Sequence, residues 1–364
     1  MLKKVIKNSV PDELLYFAKS ATKKINIFWL KIFTQNRALS SLFFLSEKAF
    51  IREKNAVLKG RLNYLLGDQN HLLNRSLLRR NVHRLEKGLL MKPRKSIFAT
   101  AYICETVTAF KNNLECSSQI EERKSELKWA YDVLTDYFSV VESQPQIDKS
   151  KEIFRSLKPK AENILKSSLE TKERAVPYLR NLNTPASVSY EDFLSLTIRR
   201  RSVRWYLPRS VPRDLIDKAL IAASFSPSAC NRQPFKFRIF DQAEYVSQVA
   251  SLPVGTNGFS QNFPAIVVIV GQLRHFLSSR DRHVIYIDAS LAAMSFMLAL
   301  ETLGLSSCPI NWPDVESREK KMEKLLNLEE DERVIMLIAV GYPDPNGMVA
   351  FSQKKSLQDL RTYN

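Results

Sequence analysis

Residues 198–206 read IRRRSVRWY, four arginines, one serine and two aromatics in nine positions. Guanidinium and hydroxyl donors this closely spaced hold an anion through charge-assisted, often bidentate hydrogen bonds. A nucleic-acid backbone, an acidic membrane surface, a cofactor phosphate, or only solvent and neighbouring carboxylates all fit the cluster taken alone. The flanking segments narrow the choice. Upstream, Ser189 precedes Asp192 by three residues, the spacing of a capping box, and opens a short helix that runs into the arginines. Downstream, Pro212 suits a first helical turn and Leu215, Ala219, Leu220 and Ala223 recur at helical spacing, so a helix is predicted to end at Phe225 or Ser226. FKFRIF at 235–240 alternates like a strand, while AIVVIV at 265–270 and VIMLIAVGYP at 334–343 read as strands buried on both faces. An apolar helix from Asp288 to Leu303, ended by Gly304, lies between those two runs. Helices and strands mix without strict βαβ alternation, which predicts an α+β layer fold.

At 364 residues the chain exceeds one ordinary domain. The turn-rich PYLRNLNTPAS at 177–187 marks a boundary between a helical region, 1–180, and the α+β domain, 188–364. Residues 1–175 hold three of the nine glycines and show helical spacing at Leu62, Leu65 and Leu66 and again at Leu72, Leu73, Leu77 and Leu78. The net charge of +17 is regional: residues 1–190 carry 34 Lys/Arg and 19 Asp/Glu, or +15, which leaves 21 basic and 19 acidic residues, or +2, for the rest. A basic half can contact an anionic surface or polymer, or be a solvated lysine-rich face. Nucleic acid ranks last as a partner, because no RNP pattern, zinc finger or helix-turn-helix signal is present.

Cys104, Cys116, Cys230 and Cys308 are widely spaced with no CxxC pair, and no secretory leader is recognisable, which predicts reduced thiols in the cytoplasm. MLKKVIKNSV at the start is basic and INIFWLKIF at 25–33 is apolar, but Lys31, Gln35, Asn36 and Arg37 interrupt the run before the roughly 18 residues a membrane span requires. For residues 20–50 a core-facing helix is expected, with an amphipathic segment lying peripherally on a membrane as the alternative.

The C-terminal half has no GxGxxG, GxxxxGK[ST], GxSxG or HExxH. None of the four histidines, His71, His83, His275 and His283, is marked as a base for a cysteine; Cys230 and Cys308 read as packing residues. What remains is four segments in order: RRSVRWY (200–206), SPSACNRQPFKF (226–237), DASLAAMSFMLALETLGLSSCPI (288–310), and VGYPDP (340–345) followed by QKKSLQDL (353–360). Together they resemble the FMN-dependent nitroreductase family, over roughly the last 175 residues.

The resemblance implies a nitroreductase-like fold, a mixed sheet sandwiched by helices, preceded here by an all-helical region. It implies FMN, with Arg200, Arg201, Ser202 and Arg204 on the phosphate and ribityl chain and Lys354 or Lys355 as a further cation. It also implies an obligate homodimer in which Pro227, Ser228, Asn231 and Gln233 reach the flavin of the other subunit, and backbone near Pro309 and Ile310 that faces the flavin N5 edge. NADH or NADPH would be the reductant and a small quinone-, nitro- or enone-like electrophile the acceptor, with hydride passing through flavin N5. The cofactor carries that chemistry, so no catalytic side chain and no metal is expected. Phe235 stands where the family often has tryptophan. Arg199 is expected to face solvent and Asn257 to form a turn.

The N-terminal half departs from the family. HRLEKGLLMKPR at 83–94 resembles a segment of extended nitroreductase-like proteins from surface-polysaccharide gene neighbourhoods. His83 and Glu86 share a helical face but lack the second Glu-x-x-His of a di-metal site, and Gly88 is expected to end the helix. The alternative function is a non-catalytic flavin-binding or docking protein linked to cell-surface polysaccharide synthesis, its helical half covering the site.

Overall fold

The structure, a computed structural model, describes residues 12–45, 47–66, 74–116, 120–169, 174–180 and 183–364. MLKKVIKNSV, His71, Leu72 and Leu73 lie outside the described residues, as do residues 181–182 of the turn-rich stretch. The chain divides into two compact units, Met1–Asn55 and Ala56–Asn364.

The first unit holds α1 (Asp12–Phe33), α2 (Arg37–Phe43) and the beginning of α3 (Lys48–Leu65). Asn36 caps α2 by accepting the Leu39 N–H at 2.9 Å. The core-facing expectation fails here: no described side chain of α1 or α2 is buried, and Phe28, Trp29 and Leu30 are 59%, 50% and 49% exposed. Ile25, Phe28, Trp29 and Ile32 share one face of α1, with Ile27 and Leu30 off it, so an apolar stripe is present but none of its described side chains is buried. The rings meet one another, from Phe28 through Trp29, Phe33, Phe43 and Phe44 to Phe50.

In the second unit, α4 (Asn74–Leu89), α5 (Ile103–Glu115), α6 (Ile120–Val140) and α7 (Pro145–Leu169) enclose a cluster that includes Leu78, Leu85, Phe110, Leu134, Tyr137 and Phe154. The leucine spacing divides: Leu78 is fully buried, whereas Leu62, Leu65 and Leu66 are exposed. Gly88 does not end α4. It lies within the last turn, and a Cβ there would run into the Phe98 ring, so the glycine serves packing. Gly60 does similar work on α3, where a Cβ would come within 2.7 Å of Leu273.

The C-terminal part begins with α8 (Tyr190–Arg199), capped as expected by Ser189, whose Oγ accepts the Asp192 N–H at 3.0 Å. Pro212 is the N-cap of α9 (Arg213–Ser224). Strands β1 (Phe235–Phe240), β2 (Ala265–Gln272), β3 (Ser306–Asn311) and β4 (Glu332–Gly341) form a four-stranded sheet in the order β1-β2-β4-β3, every ladder antiparallel. A parallel bridge from Ser202 to Ser307 makes the sheet mixed at the β3 edge.

Helices sandwich the sheet. Val267, Ile269, Ile338 and Val340 face α9 and α11 (Val284–Thr302). Ile266, Val268, Leu337 and Ala339 face α10 (Ala243–Ala250) and α12 (Glu316–Leu326). Burial on both sides is why β2 is apolar from Ala265 to Gly271. Helix α11 begins at Val284, ahead of Asp288, and Gly304 takes the left-handed φ of +75° that ends it. The stretch Ser279–Thr302 is long and apolar enough to cross a membrane, but Ile285, Ala289, Phe296 and Leu300 are fully buried in the protein core.

Candidate functional site

After α8 the chain leaves the helix at Arg200 and runs extended along β3 and the end of β4. Val203 N–H donates to Ser307 O at 3.1 Å, Leu207 N–H to Tyr342 O at 2.9 Å, and Asp344 N–H to Trp205 O at 3.0 Å. Tyr206 anchors this run. Its ring is buried, its hydroxyl donates to Val203 O at 2.7 Å, and its N–H donates to Asn262 Oδ1 at 2.9 Å.

The anchored segment borders a cleft of about 440 Å³ lined by Arg204, Phe259, Cys308, Pro309, Ile310 and Pro313. Arg204 lies over the Phe259 ring, 5.6 Å from its centroid, and donates to Ser202 O at 3.2 Å. Arg201 donates to Arg200 O at 3.1 Å. Glu301, at the end of α11, is buried beneath the cluster; Ser306 Oγ donates to it at 3.2 Å and Arg199 Nε stands 3.6 Å away. Burial raises the Glu301 carboxyl above its ordinary range, against the pull of Ser306, Arg199 and Arg200. Arg199 is thus exposed, as expected, yet paired. Burial also raises the Cys308 thiol, opposed by Arg204 and Arg200, so Cys308 stays protonated at neutral pH.

Two polar atoms at this place are buried without a hydrogen-bond partner among the described residues: Arg200 Nε and Ser307 Oγ. Buried donors are almost always satisfied, so an unpaired pair beside further guanidinium groups fits an anionic group supplied from outside the chain.

The loop at 226–234 is the second candidate element. Ser228 Oγ accepts the Gln233 N–H at 3.1 Å, Gln233 Nε2 donates to Asn231 Oδ1 at 3.0 Å, and Ala229 N–H donates to Asp288 Oδ2 at 3.0 Å. Cys230, Asn231 and Gln233 hold φ values of 53°, 51° and 50°, left-handed conformations that cost on the order of 1 kcal/mol or more each and need such bonds to persist. Arg79 of α4 adds another, donating from Nε to Asn231 O at 2.8 Å. Nothing in the sequence pattern announced that tie, nor the roles of Asn262 and Glu301. A carboxylate in the last turn of a largely apolar helix is the one signal that could have found Glu301.

The structure brings Arg200, Arg201, Ser202, Arg204, Pro309 and Ile310 together. It does not bring Pro227, Ser228, Asn231 and Gln233 to them. The loop leads into β1 at one corner of the sheet, opposite Gly271 and Arg333, whereas Ser202 joins β3 opposite Val340 at the far corner. Seven residues along β4 at about 3.4 Å and four strand spacings of about 4.8 Å separate them by roughly 30 Å. Lys354 and Lys355 are exposed beyond β4, and among the described residues no ion pair ties them to the cluster.

The nitroreductase family profile matches residues 198–253 and 241–342. A protein of Archaeoglobus fulgidus named NADH dehydrogenase/NAD(P)H nitroreductase is 30% identical over 156 residues, 42% of this chain and 86% of that protein. Rat iodotyrosine deiodinase 1 is 22% identical over 295 residues, covering 71% of this chain and 95% of its own length. Among solved structures, an FMN-dependent nitroreductase from Clostridium difficile R20291 aligns at 24% identity with a TM-score of 0.41, over 47% of this chain and 99% of that one. The family match and the relatives named nitroreductases place the chain among the oxidoreductases. Through its C-terminal half the chain belongs to the nitroreductase family. Its relatives' names record more than one reaction.

Proposed function

We propose that the protein is an FMN-dependent oxidoreductase in which NADH or NADPH supplies electrons and a small electrophilic aromatic, quinone or enone accepts them. The observation that carries this reading is the unpaired Arg200 Nε and Ser307 Oγ beside Arg204. A phosphate there receives charge-assisted bonds, while Pro309, Ile310 and Phe259 offer an apolar wall to a planar ring. Glu301 beneath the arginines holds Arg199 and balances part of their charge. When bound, FMN supplies the hydride chemistry. The residues of this chain bind and orient it, and the protonated Cys308 thiol keeps a nucleophile out of the pocket.

In the same reading, Pro227, Ser228, Asn231 and Gln233 complete the site of a second copy, and Lys354 or Lys355 comes to the phosphate on assembly. Phe193, Ile198, Ile221, Phe225, Ile287 and Leu291 are exposed on α8, on α9 and its C-cap, and on α11, apolar surface of the kind that subunit association covers. Anaerobic mixing with NADH or NADPH is expected to bleach the visible flavin absorbance, and a quinone, a nitroaromatic or a halogenated phenol to restore it. The halogenated phenol is included because one relative is named a deiodinase. Yellow protein that neither nicotinamide bleaches would favour the non-catalytic flavin-binding alternative; colourless protein that gains no flavin would defeat both.

A separate reading concerns the first unit, which meets an anionic membrane surface. Its exposed Phe28, Trp29 and Leu30 stand among Lys23, Lys24 and Lys31, the composition of an interfacial helix. Full-length protein is expected to sediment with vesicles containing phosphatidylserine, less so as salt rises, and less so again with Phe28→Ser and Trp29→Ser together. Sedimentation that responds to neither change rejects this reading.

A further inference from the structure

At the β1 corner of the sheet lies a pocket of about 270 Å³, lined by Arg75, Ser76 and Arg79 from α4, Arg232 from the loop, and Arg274 and His275 just after β2, with Lys236 at its rim. Its cations outnumber its carboxylates. Arg75 and Arg79 share the single carboxylate of Glu126, at 2.9 and 3.0 Å. Arg274 is committed to Asp331 at 2.6 Å, with Glu332 at 3.8 Å. Arg232 has no ion pair among the described residues. Its guanidinium lies over the Phe276 ring, 4.8 Å from the centroid, which occupies the face of the group but none of its N–H donors, and Nε is buried without a partner.

Five cations, Arg75, Arg79, Arg232, Lys236 and Arg274, thus line a pocket that no carboxylate lines; Glu126, Asp331 and Glu332 pair with three of them, and Asp281 and Asp288 act on Arg232 only through space. Burial pushes the Arg232 guanidinium below its ordinary value and nearby Arg80 pushes the same way, yet an arginine remains charged at neutral pH. His275 adds no charge: it stands 2.6 Å from Ser76 Oγ and 3.2 Å from Gln272 Oε1, and burial with the surrounding arginines brings its pKa down to about 3. A half-enclosed excess of positive charge is costly unless an anion shares the space.

We propose that this pocket is a second oxyanion site, distinct from the arginine segment at β3, that takes a phosphate group. The volume lies just under the roughly 300 Å³ at which ordinary small-molecule sites begin, which suits one phosphate, free or at the end of a larger ester. Planar guanidinium forks match its oxygens bidentately, and Arg232 brings a guanidinium with no ion pair among the described residues. Arg79 joins Glu126, the pocket and the Asn231 carbonyl, so the site sits directly behind the loop. Because Arg75, Ser76 and Arg79 of the helical module form one side of the pocket, the sequence of the family-like domain alone would not contain it.

The test uses the full chain saturated with FMN in a chloride buffer, titrated calorimetrically with inorganic phosphate and, in a parallel arm, methyl phosphate. Saturable binding of one equivalent is expected, weakened tenfold or more by Arg232→Gln and by Arg75→Gln, each checked for folding by circular dichroism. Arg213→Gln, which removes an exposed cation paired with Asp241, should leave it unchanged. Equal affinity for the two probes indicates a site for phosphate esters; a strong preference for inorganic phosphate indicates a free-ion site. Absence of saturable binding to the wild-type protein overturns the proposal. So does affinity equal in the wild type and both pocket variants, or loss equal in Arg213→Gln, which would mark diffuse charge attraction.

Discussion

Replacing Arg200 and Arg204 together by alanine is expected to strip FMN from the protein. Each guanidinium contributes charge-assisted bonds of about 1.5–3 kcal/mol, so the double change weakens binding by on the order of 10²- to 10⁴-fold. Visible absorbance carried through gel filtration reads the loss directly, and full occupancy in the double variant would reject the phosphate assignment. The same variant tests the shared site. The loop and the arginine segment lie at opposite corners of one sheet, so mixing Arg200→Ala/Arg204→Ala protein with Ser228→Ala/Asn231→Ala protein under subunit exchange should regenerate one intact site per heterodimer. A monomer at micromolar concentration with FMN still bound would contradict that arrangement.

Stability should fall as pH drops from about 6.5 toward 3, through His275. Burial, then Arg274, Arg232, Arg79 and Arg75, depress its folded pKa to about 3 from the ordinary 6.5. Below 6.5 the unfolded chain takes up a proton that the folded state refuses. The contribution present above 6.5 is therefore lost with falling pH, at up to about 1.4 kcal/mol per unit, until the folded pKa is reached. The ring keeps some contact with solvent, so the whole effect is on the order of 2–4 kcal/mol. Urea unfolding at pH 7.5, 6.5, 5.5 and 4.5 spans this range; the raised carboxyls of Glu301 and Asp288 contribute with the opposite sign, so the histidine's share is read from the comparison with His275→Gln. His275→Gln should flatten the slope by close to one proton. Identical slopes in the two proteins would mean that the histidine titrates freely in the fold.

Features decided by near neighbours along the chain were legible in the sequence. Ser189 and Asp192 meet because a helix start brings positions three apart together, and Gly304 ends α11 because a left-handed residue is required there. The runs at 235–240, 265–270 and 334–343 became strands, since burial on one or both faces dictates their composition. The four family-like segments likewise pointed to the arginine cluster and the loop without any coordinates. SSCPIN at 306–311 escaped, because two serines and a proline carry no alternation, and an edge strand tolerates the proline that a central one would not.

Whatever depended on partners distant in sequence could not be read from it. The apolar residues of 25–33 look like core in one dimension, and only the placement of helices leaves them exposed. Gly88 reads as a terminator until the Phe98 ring is seen to need its space. Strand order sets the arginines and the loop at opposite corners, and the approach of α4 to the 226–234 loop joins Arg79 to Asn231, while Arg232 Nε is left without a hydrogen-bond partner among the described residues. Local propensity is a property of a few adjacent residues. Burial, pairing and unpaired charge depend on which segments meet, and only the folded chain fixes those meetings.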